Sequence, residues 1–480
     1  MTVHPNPFSK TKILCTIGPA SQPLVALKSL IRAGMDAARL NFSHGTREDH
    51  LLTIENLRIA ATFTGEPITV VQDLGGPKIR TGRLATPSVE LRPKAALRIT
   101  TEDIEGTAER ISTTYGRLPE DAKPGNTILL DDGKIRLEIE STGGREVLTR
   151  VIVGGTLLPR KGMNLPDVAI SAPSMTEKDK EDLLFGLEQD IDYVALSFVR
   201  TAEDIRYLRT FLIEHAKKGR RVPIIAKIEK GDAIRNIDAI IQETDAVMVA
   251  RGDLGVELPA EDVPLLQKLI VRKCNELGKP VIIATQMLES MVGSPTPTRA
   301  EANDVANAVL DGADAVMLSA ETSIGKYPVQ AVEMMDKIIR KTEAHASQFS
   351  RCDREKIPCI HEYDALSRAA CMLADQEKAA AIVVLTHSGT TAAHVAKFRP
   401  ASRIIAVTDR EKIMRRLNLL WGIHGLIVED LKKDTDVAFK AIEEELMRQG
   451  YIRAGDTVVM VAGIPLFEGH PTNTIKVDKV

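Results

Sequence analysis

One pattern limits what this chain can fold into more than any other. Between Lys10 and about residue 340, short apolar runs alternate with longer amphipathic stretches. The runs are ILCTIG, AARLNFSHG, ITVVQDLGG, YVALSFVR, IIAKIE, AVMVARGDLG, VIIATQM and AVMLSAET. An intervening stretch such as TAEDIRYLRTFLIEHAKKG is charge-rich and repeats its apolar residues at helical spacing. Eight strands alternating with helices predict an α/β fold, an eight-stranded parallel β/α (TIM) barrel wrapped by its helices.

The ends of the runs carry the chemistry. They close on Arg39, Asn41 and Ser43; Asp73; Lys227 and Glu229; Arg251 and Asp253; Thr285; and Ser319 and Glu321. A single charged strand end is ordinarily a solvated edge. Six together converge, because the strands of such a barrel bring their C-terminal ends to one mouth, where active sites form. Lys227 and Glu229 sharpen the point. They stand two residues apart in an extended segment, so both side chains leave on the same side. A buried charge is costly unless it is paired or holds an ion.

Roughly residues 83–170 interrupt the pattern with Val-, Thr-, Ile- and Leu-rich sequence and hairpin signals at DDGK and STGGRE. This predicts a small antiparallel β-barrel domain inserted after the third strand, over the mouth, where it acts as a lid. The barrel itself then comprises residues 1–82 and 171–345. From residue 346 to 480 the runs AAIVVLT, SRIIAVT, GIHGLIVE, DTVVMVAG and NTIKV predict a separate C-terminal α/β domain.

Composition excludes some partners. Lys plus Arg (63) nearly balance Asp plus Glu (66), so no overall field favours nucleic acid or a membrane surface. Aromatic residues, at 4%, are too few for base-stacking surfaces. The five cysteines are scattered without a C-x-x-C, which speaks against disulfides and a zinc site. The start, MTVHPNPFSKTK, has no apolar core, and the expected location is cytoplasmic.

Glu229 and Asp253 end neighbouring strands and suit a hard divalent cation such as Mg²⁺, which takes few carboxylates and keeps water and substrate as ligands. Arg39, Arg80 and Lys227 supply positive charge for a phosphate. The G-x-x-x-x-G-K-[ST] loop is absent, which removes P-loop chemistry. A cation, basic groups and a lid suit phosphoryl transfer, where positioning and charge neutralisation dominate. On residues alone the chain reads as a magnesium-dependent barrel enzyme acting on a small phosphorylated acid. Two alternatives use part of this set. A Mg²⁺-dependent lyase passing through an enolpyruvate has no need of the lid, Arg80 or Lys161. A non-catalytic sensor has no need of Lys227, Glu229 and Asp253 together.

The motifs TIGPAS, RLNFSHG, GPKIRTG, KIE, MVARGDLGVE, IATQMLESM and AVMLSAET resemble, in order and spacing, those of pyruvate kinase across nearly the whole chain. The resemblance implies transfer of the phosphoryl group of phosphoenolpyruvate to ADP, giving pyruvate and ATP, with Mg²⁺ or Mn²⁺. It implies that Glu229 and Asp253 are metal ligands and that Lys227 stabilises the migrating phosphoryl group and the enolate. Glu229 anchors the metal beside Lys227, so both charges are compensated only when substrate and metal arrive. Gly252, Asp253 and Thr285 resemble the substrate carboxylate site, and Arg39 a phosphate ligand. Arg80 and Lys161, with Asn41 and His44, resemble nucleotide contacts. The resemblance also implies that the enolate is protonated through water near Thr285 and Ser319. The family is usually a homotetramer.

Relatives that need a monovalent cation hold it with residues matching Asn41, Ser43, Asp73 and the carbonyl at Leu74. They carry Glu where this chain has Lys78. The resemblance therefore implies that K⁺ is not required, the Lys78 ammonium standing in for the ion. In the C-terminal domain, THSGTTAAHVAKFRP resembles the family's effector loop, so Thr386, Ser388, Thr390 and Thr391 are expected to bind a phosphorylated regulator. His387 and Thr390 stand where some relatives have basic residues. Trp421 is expected only to pack.

Overall fold

The computed structural model describes residues 9–217, 219–346, 357–428, 435–466 and 472–480. Cys352 and the first eight residues lie outside them. All eight apolar runs are strands: β1 Lys12–Thr16, β2 Ala37–Asn41, β3 Thr69–Asp73, β4 Tyr193–Leu196, β5 Ile224–Ile228, β6 Ala246–Ala250, β7 Val281–Ala284 and β8 Ala315–Leu318. They pair in parallel in chain order, and β1 against β8 closes the barrel. Helices cover the outer face and side chains fill the interior, so these strands are apolar throughout instead of alternating. Leu14, Val71, Ile225, Met248 and Ile282 are among the fully buried residues inside the barrel.

Between β3 and β4 the chain builds a six-stranded sheet and a two-stranded one with their own apolar core, including Leu97, Ile99, Ile128 and Leu137. Both predicted hairpins form: Thr127–Leu130 pairs with Ile135–Gly143, which pairs with Glu146–Val153. One detail differs from the expected antiparallel barrel: Ala96–Thr100 and Arg110–Ser112 pair in parallel. Between the two edge strands, Met163–Asn164 and Arg110–Ser112, runs the segment leaving the barrel, where Arg80 bridges Gly162 and Thr81 bridges Thr113.

The last unit is a five-stranded sheet, ordered Ile423–Ile427, Arg403–Thr408, Ala381–Leu385, Thr457–Ala462 and Thr474–Lys479, only the last pairing antiparallel. It docks beneath the barrel, at the end away from the mouth. Arg415, on the helix Glu411–Leu417, reaches Asp192 Oδ1 at 3.0 Å and Asp190 Oδ2 at 2.8 Å, just before β4. Trp421 does more than pack: its ring lies 5.0 Å from Lys10 Nζ and 4.8 Å from the Arg399 guanidinium, which also pairs with Asp314.

Candidate active site

The charged strand ends meet at the C-terminal mouth of the barrel. Asp73, at the end of β3, is completely buried and takes two cations. Arg39 donates to its Oδ2 from Nε at 2.6 Å, and Lys227 Nζ lies 3.3 Å from Oδ1. Arg39 also donates through Nη1 to Thr16 Oγ1 at 3.0 Å. Lys227 Nζ stands 2.9 Å from Glu229 Oε1 and donates to Ser197 Oγ at 2.7 Å. Glu229 Oε2 accepts the Phe198 backbone N–H at 2.7 Å. Lys227 and Glu229 thus neutralise each other directly. The expectation that they wait uncompensated is corrected, because i and i+2 side chains on one strand are near enough to pair.

The electrostatics follow from these contacts. Burial would lower the Lys227 pKa, but Asp73 and Glu229 outweigh it and the ammonium is held more firmly than usual. Burial would raise Asp73; Lys227 and Arg39 reverse this and hold it below the ordinary carboxylate range. Asp253 lacks such cover. It stands open to the cleft on the helix Arg251–Glu257, yet desolvation by the surrounding walls and the charge of Glu229 push it up to about 6. Two carboxylates with this mutual repulsion fit a divalent cation. Among the described residues no three His, Cys, Asp or Glu side chains form a metal-holding group. The pair Glu229 and Asp253 therefore suits Mg²⁺, which draws most of its shell from water and substrate, better than an all-protein cage metal.

Beside Asp253, the Gly252 N–H donates to Thr285 Oγ1 at 2.8 Å, so these two members of the expected carboxylate site are already in contact. Thr285 and Gln286 hold φ of +69° and +55°, a left-handed backbone that a β-branched residue rarely adopts and that clusters at functional sites. Arg251 turns away from the mouth and braces this bend, donating to the Thr285 carbonyl at 2.8 Å and to Asp304 at 2.7 Å. Ser319 follows β8; its N–H donates to Glu321 Oε2 at 2.7 Å, and its hydroxyl is buried without a protein partner.

A cavity of about 330 Å³ opens between the mouth and the inserted sheet, lined by Lys78, Arg80, Lys161, Lys230, Asp131 and Asp253 among others. Lys161 is paired with Asp131 at 2.7 Å. His44 is near enough to feel Lys78, Arg80 and Arg39, and desolvation with those charges lowers its pKa. Asn41 Oδ1 accepts the Ser43 N–H at 3.1 Å, and Leu74 is buried. Lys78 is exposed and, among the described residues, has no carboxylate within 4 Å. It remains within electrostatic reach of Asp73 and Glu229, although desolvation and the like charges of Lys227 and Arg80 lower its pKa. The ions that neutralise Asp73 by contact are Arg39 and Lys227.

Far from the mouth, Thr386, Ser388, Thr390 and Thr391 gather where Ala381–Leu385 leads into the helix Thr390–Lys397. Thr386 Oγ1 accepts the Gly389 N–H at 2.9 Å, the Ser388 and Thr390 hydroxyls lie 2.9 Å apart, and Thr391 contacts Thr472 at 2.8 Å.

Sequence reasoning missed Ser197, Phe198 and Thr16. The run YVALSFVR puts its charge at Arg200, three residues beyond Ser197, so a search for charged strand ends passes over the serine. A polar residue closing a buried run was the available signal.

Comparison with known proteins is consistent along the chain. Residues 8–332 match the family model for the pyruvate kinase barrel domain, and residues 364–478 that for the pyruvate kinase alpha/beta domain. The pyruvate kinase of Geobacillus stearothermophilus is 47% identical over 98% of this chain and 80% of its own length. That of Mycobacterium tuberculosis H37Rv is 43% identical over 98% of both. A solved pyruvate kinase from Cryptosporidium parvum superposes with a TM-score of 0.92 at 36% identity, over 98% of this chain and 96% of its own. No helix among the described residues is long and apolar enough to cross a membrane.

Proposed function

The chain belongs to the pyruvate kinase family, and from that premise we propose how its residues divide the work. It is a phosphotransferase that moves the phosphoryl group of phosphoenolpyruvate to ADP, giving pyruvate and ATP, the final step of glycolysis. Glu229 and Asp253 hold Mg²⁺ or Mn²⁺, which when bound neutralises charge on the substrate oxygens. Lys227 turns one of its three N–H donors to the migrating phosphoryl group and to the enolate oxygen left behind. The observation that best supports this role is its contact with Asp73, Glu229 and Ser197 together, which fixes a buried cation at the mouth before substrate arrives.

Arg39 binds the phosphate of phosphoenolpyruvate, oriented by Asp73 and Thr16. Gly252, Asp253 and Thr285 bind its carboxylate. Arg80 and Lys161, with Asn41 and His44, bind the phosphates of ADP in the cavity under the inserted sheet, which closes as a lid and excludes water. The enolate takes its proton through water at Thr285 and Ser319, a role supported by the unpartnered Ser319 hydroxyl. Asn41, Ser43, Asp73 and Leu74 need no K⁺, because Lys78 supplies charge in their field and Asp73 is already neutralised. Thr386, Ser388, Thr390 and Thr391 take a phosphorylated effector. The protein works in the cytoplasm as a homotetramer.

The first test is pyruvate formation from phosphoenolpyruvate and ADP with Mg²⁺ in a K⁺-free buffer. Brisk turnover supports both the phosphoryl transfer and the K⁺ reading. Turnover rescued by added K⁺ keeps the first and removes the second. Silence in both overturns the assignment of roles.

A further inference from the structure

The end of β4 carries no charge, yet it touches both charges of the Lys227–Glu229 pair. Ser197 is 2% exposed. Its hydroxyl has one proton, and that proton goes to the Leu74 carbonyl at 2.8 Å, well inside the 3.5 Å to Asp73 Oδ1. Its lone pairs are then left to accept from Lys227 Nζ at 2.7 Å. The next residue, Phe198, gives its N–H to Glu229 Oε2, leaving Oε1 for Lys227. For this N–H to face the site, Phe198 takes φ of +55°, a left-handed conformation unusual for a bulky residue. Gly76, itself at φ +65°, makes the room: a Cβ there would lie 2.8 Å from Phe198 Cδ2.

We propose that Ser197 is a positioning residue for phosphoryl transfer, acting through Lys227, and that the Phe198 N–H does the same for Glu229. An ammonium has three donors, and Lys227 spends them on Asp73, Glu229 and Ser197. Two of these acceptors are anions that pull it downwards into the strand ends. The hydroxyl is the only neutral one, so it holds Nζ in place without adding to that pull. It can also yield to an incoming phosphoryl oxygen without stranding a charge. Because the same hydroxyl donates to the Leu74 carbonyl, the position of Lys227 is tied to β3 as well as to its own strand. The inference rests on the role proposed above for Lys227.

The test is a double-mutant cycle with Ser197→Ala and Lys227→Met, joined by Mn²⁺ binding to the substrate-free protein followed by electron paramagnetic resonance. Ser197→Ala is expected to lower kcat by about 10- to 100-fold, the range for residues that orient a reacting group. KM for phosphoenolpyruvate and Mn²⁺ affinity stay near wild type. In the Lys227→Met background the serine substitution adds almost nothing, as for residues acting through one another. Wild-type kcat in Ser197→Ala, additive losses, or a loss of Mn²⁺ affinity overturns the proposal. If Lys227→Met itself turns over normally, the role of Lys227 fails first and takes this inference with it, an outcome distinct from the others.

Discussion

Lys227 Nζ and Glu229 Oε1 are 2.9 Å apart, on side chains that leave one strand on the same side and are both buried. The cation proposed for catalysis is thus held by the carboxylate proposed for the metal. Lys227→Met should lower kcat by about 10²–10³ or more, the loss typical of removing a preorganised charge-stabilising donor. It also leaves Glu229 buried beside a neutral chain, which costs roughly 3–5 kcal/mol of stability when one partner of a buried pair is removed. Mg²⁺ should therefore raise the melting temperature of the mutant more than that of wild type. Calorimetry with and without EDTA, beside steady-state kinetics, reads both effects; near-normal turnover would refute the role of Lys227.

Lys78 sits without a contacting carboxylate among the described residues, but within reach of Asp73 and Glu229. Replacing it with Glu removes one positive charge and adds a negative one beside Asn41, Ser43 and Asp73. Lys78→Glu should need K⁺ for activity, where wild type is indifferent to it. Titration of KCl into both proteins, at ionic strength held constant with a larger organic cation, checks this. A mutant as indifferent as wild type removes Lys78 as the substitute for the ion.

All eight barrel strands were legible because parallel strands buried on both faces must be continuous apolar runs. Arg39, Asp73, Lys227 and Glu229 were legible because a charge closing a buried run is costly unless a partner, an ion or a substrate meets it there. What stayed hidden has physical reasons. Ser197 is uncharged, and Phe198 acts through its backbone, which no side-chain pattern reports. The left-handed turn at Thr285 and Gln286 carries no glycine to betray it. Arg251 ends a run as Lys227 does, yet its side chain turns to Asp304, a partner 53 positions along the chain. Arg415 meets Asp192 across a still longer separation, and nothing local to either residue announces the docking of the C-terminal sheet.

Ser388 and Thr390 are exposed and their hydroxyls bond to each other, so both can turn towards a phosphate without breaking a contact to the core. Thr386 by contrast holds the loop through the Gly389 N–H. If this loop binds a phosphorylated effector, a panel of sugar phosphates and AMP should contain one compound that shifts the phosphoenolpyruvate saturation curve. Ser388→Ala with Thr390→Ala should abolish the shift while leaving the curve without effector unchanged. A curve that no compound moves removes the effector role.

Asp364 gathers four donors in the C-terminal unit. It accepts from the Ile360 and His361 N–H groups at 2.8 and 3.0 Å, from Lys397 Nζ at 2.7 Å and from His394 Nδ1 at 2.7 Å. Neither the Asp364 nor the Lys397 side chain is exposed. Burial alone would raise its pKa, but these donors, led by Lys397, hold it far below the ordinary carboxylate value. The sign of the consequence is fixed. On acidification the unfolded chain binds the proton first, at about pH 4, while the folded carboxylate still refuses it. The stabilisation is therefore complete above that value and declines as the pH falls below it towards the folded pKa. Asp364→Asn should lower stability at pH 7, because Lys397 is left buried without its anion. It should also flatten the decline between about pH 4 and pH 2 relative to wild type. Urea unfolding at a series of pH values, followed through a probe in the C-terminal unit, separates the two effects. Parallel pH profiles for mutant and wild type would show that Asp364 does not carry the acid sensitivity.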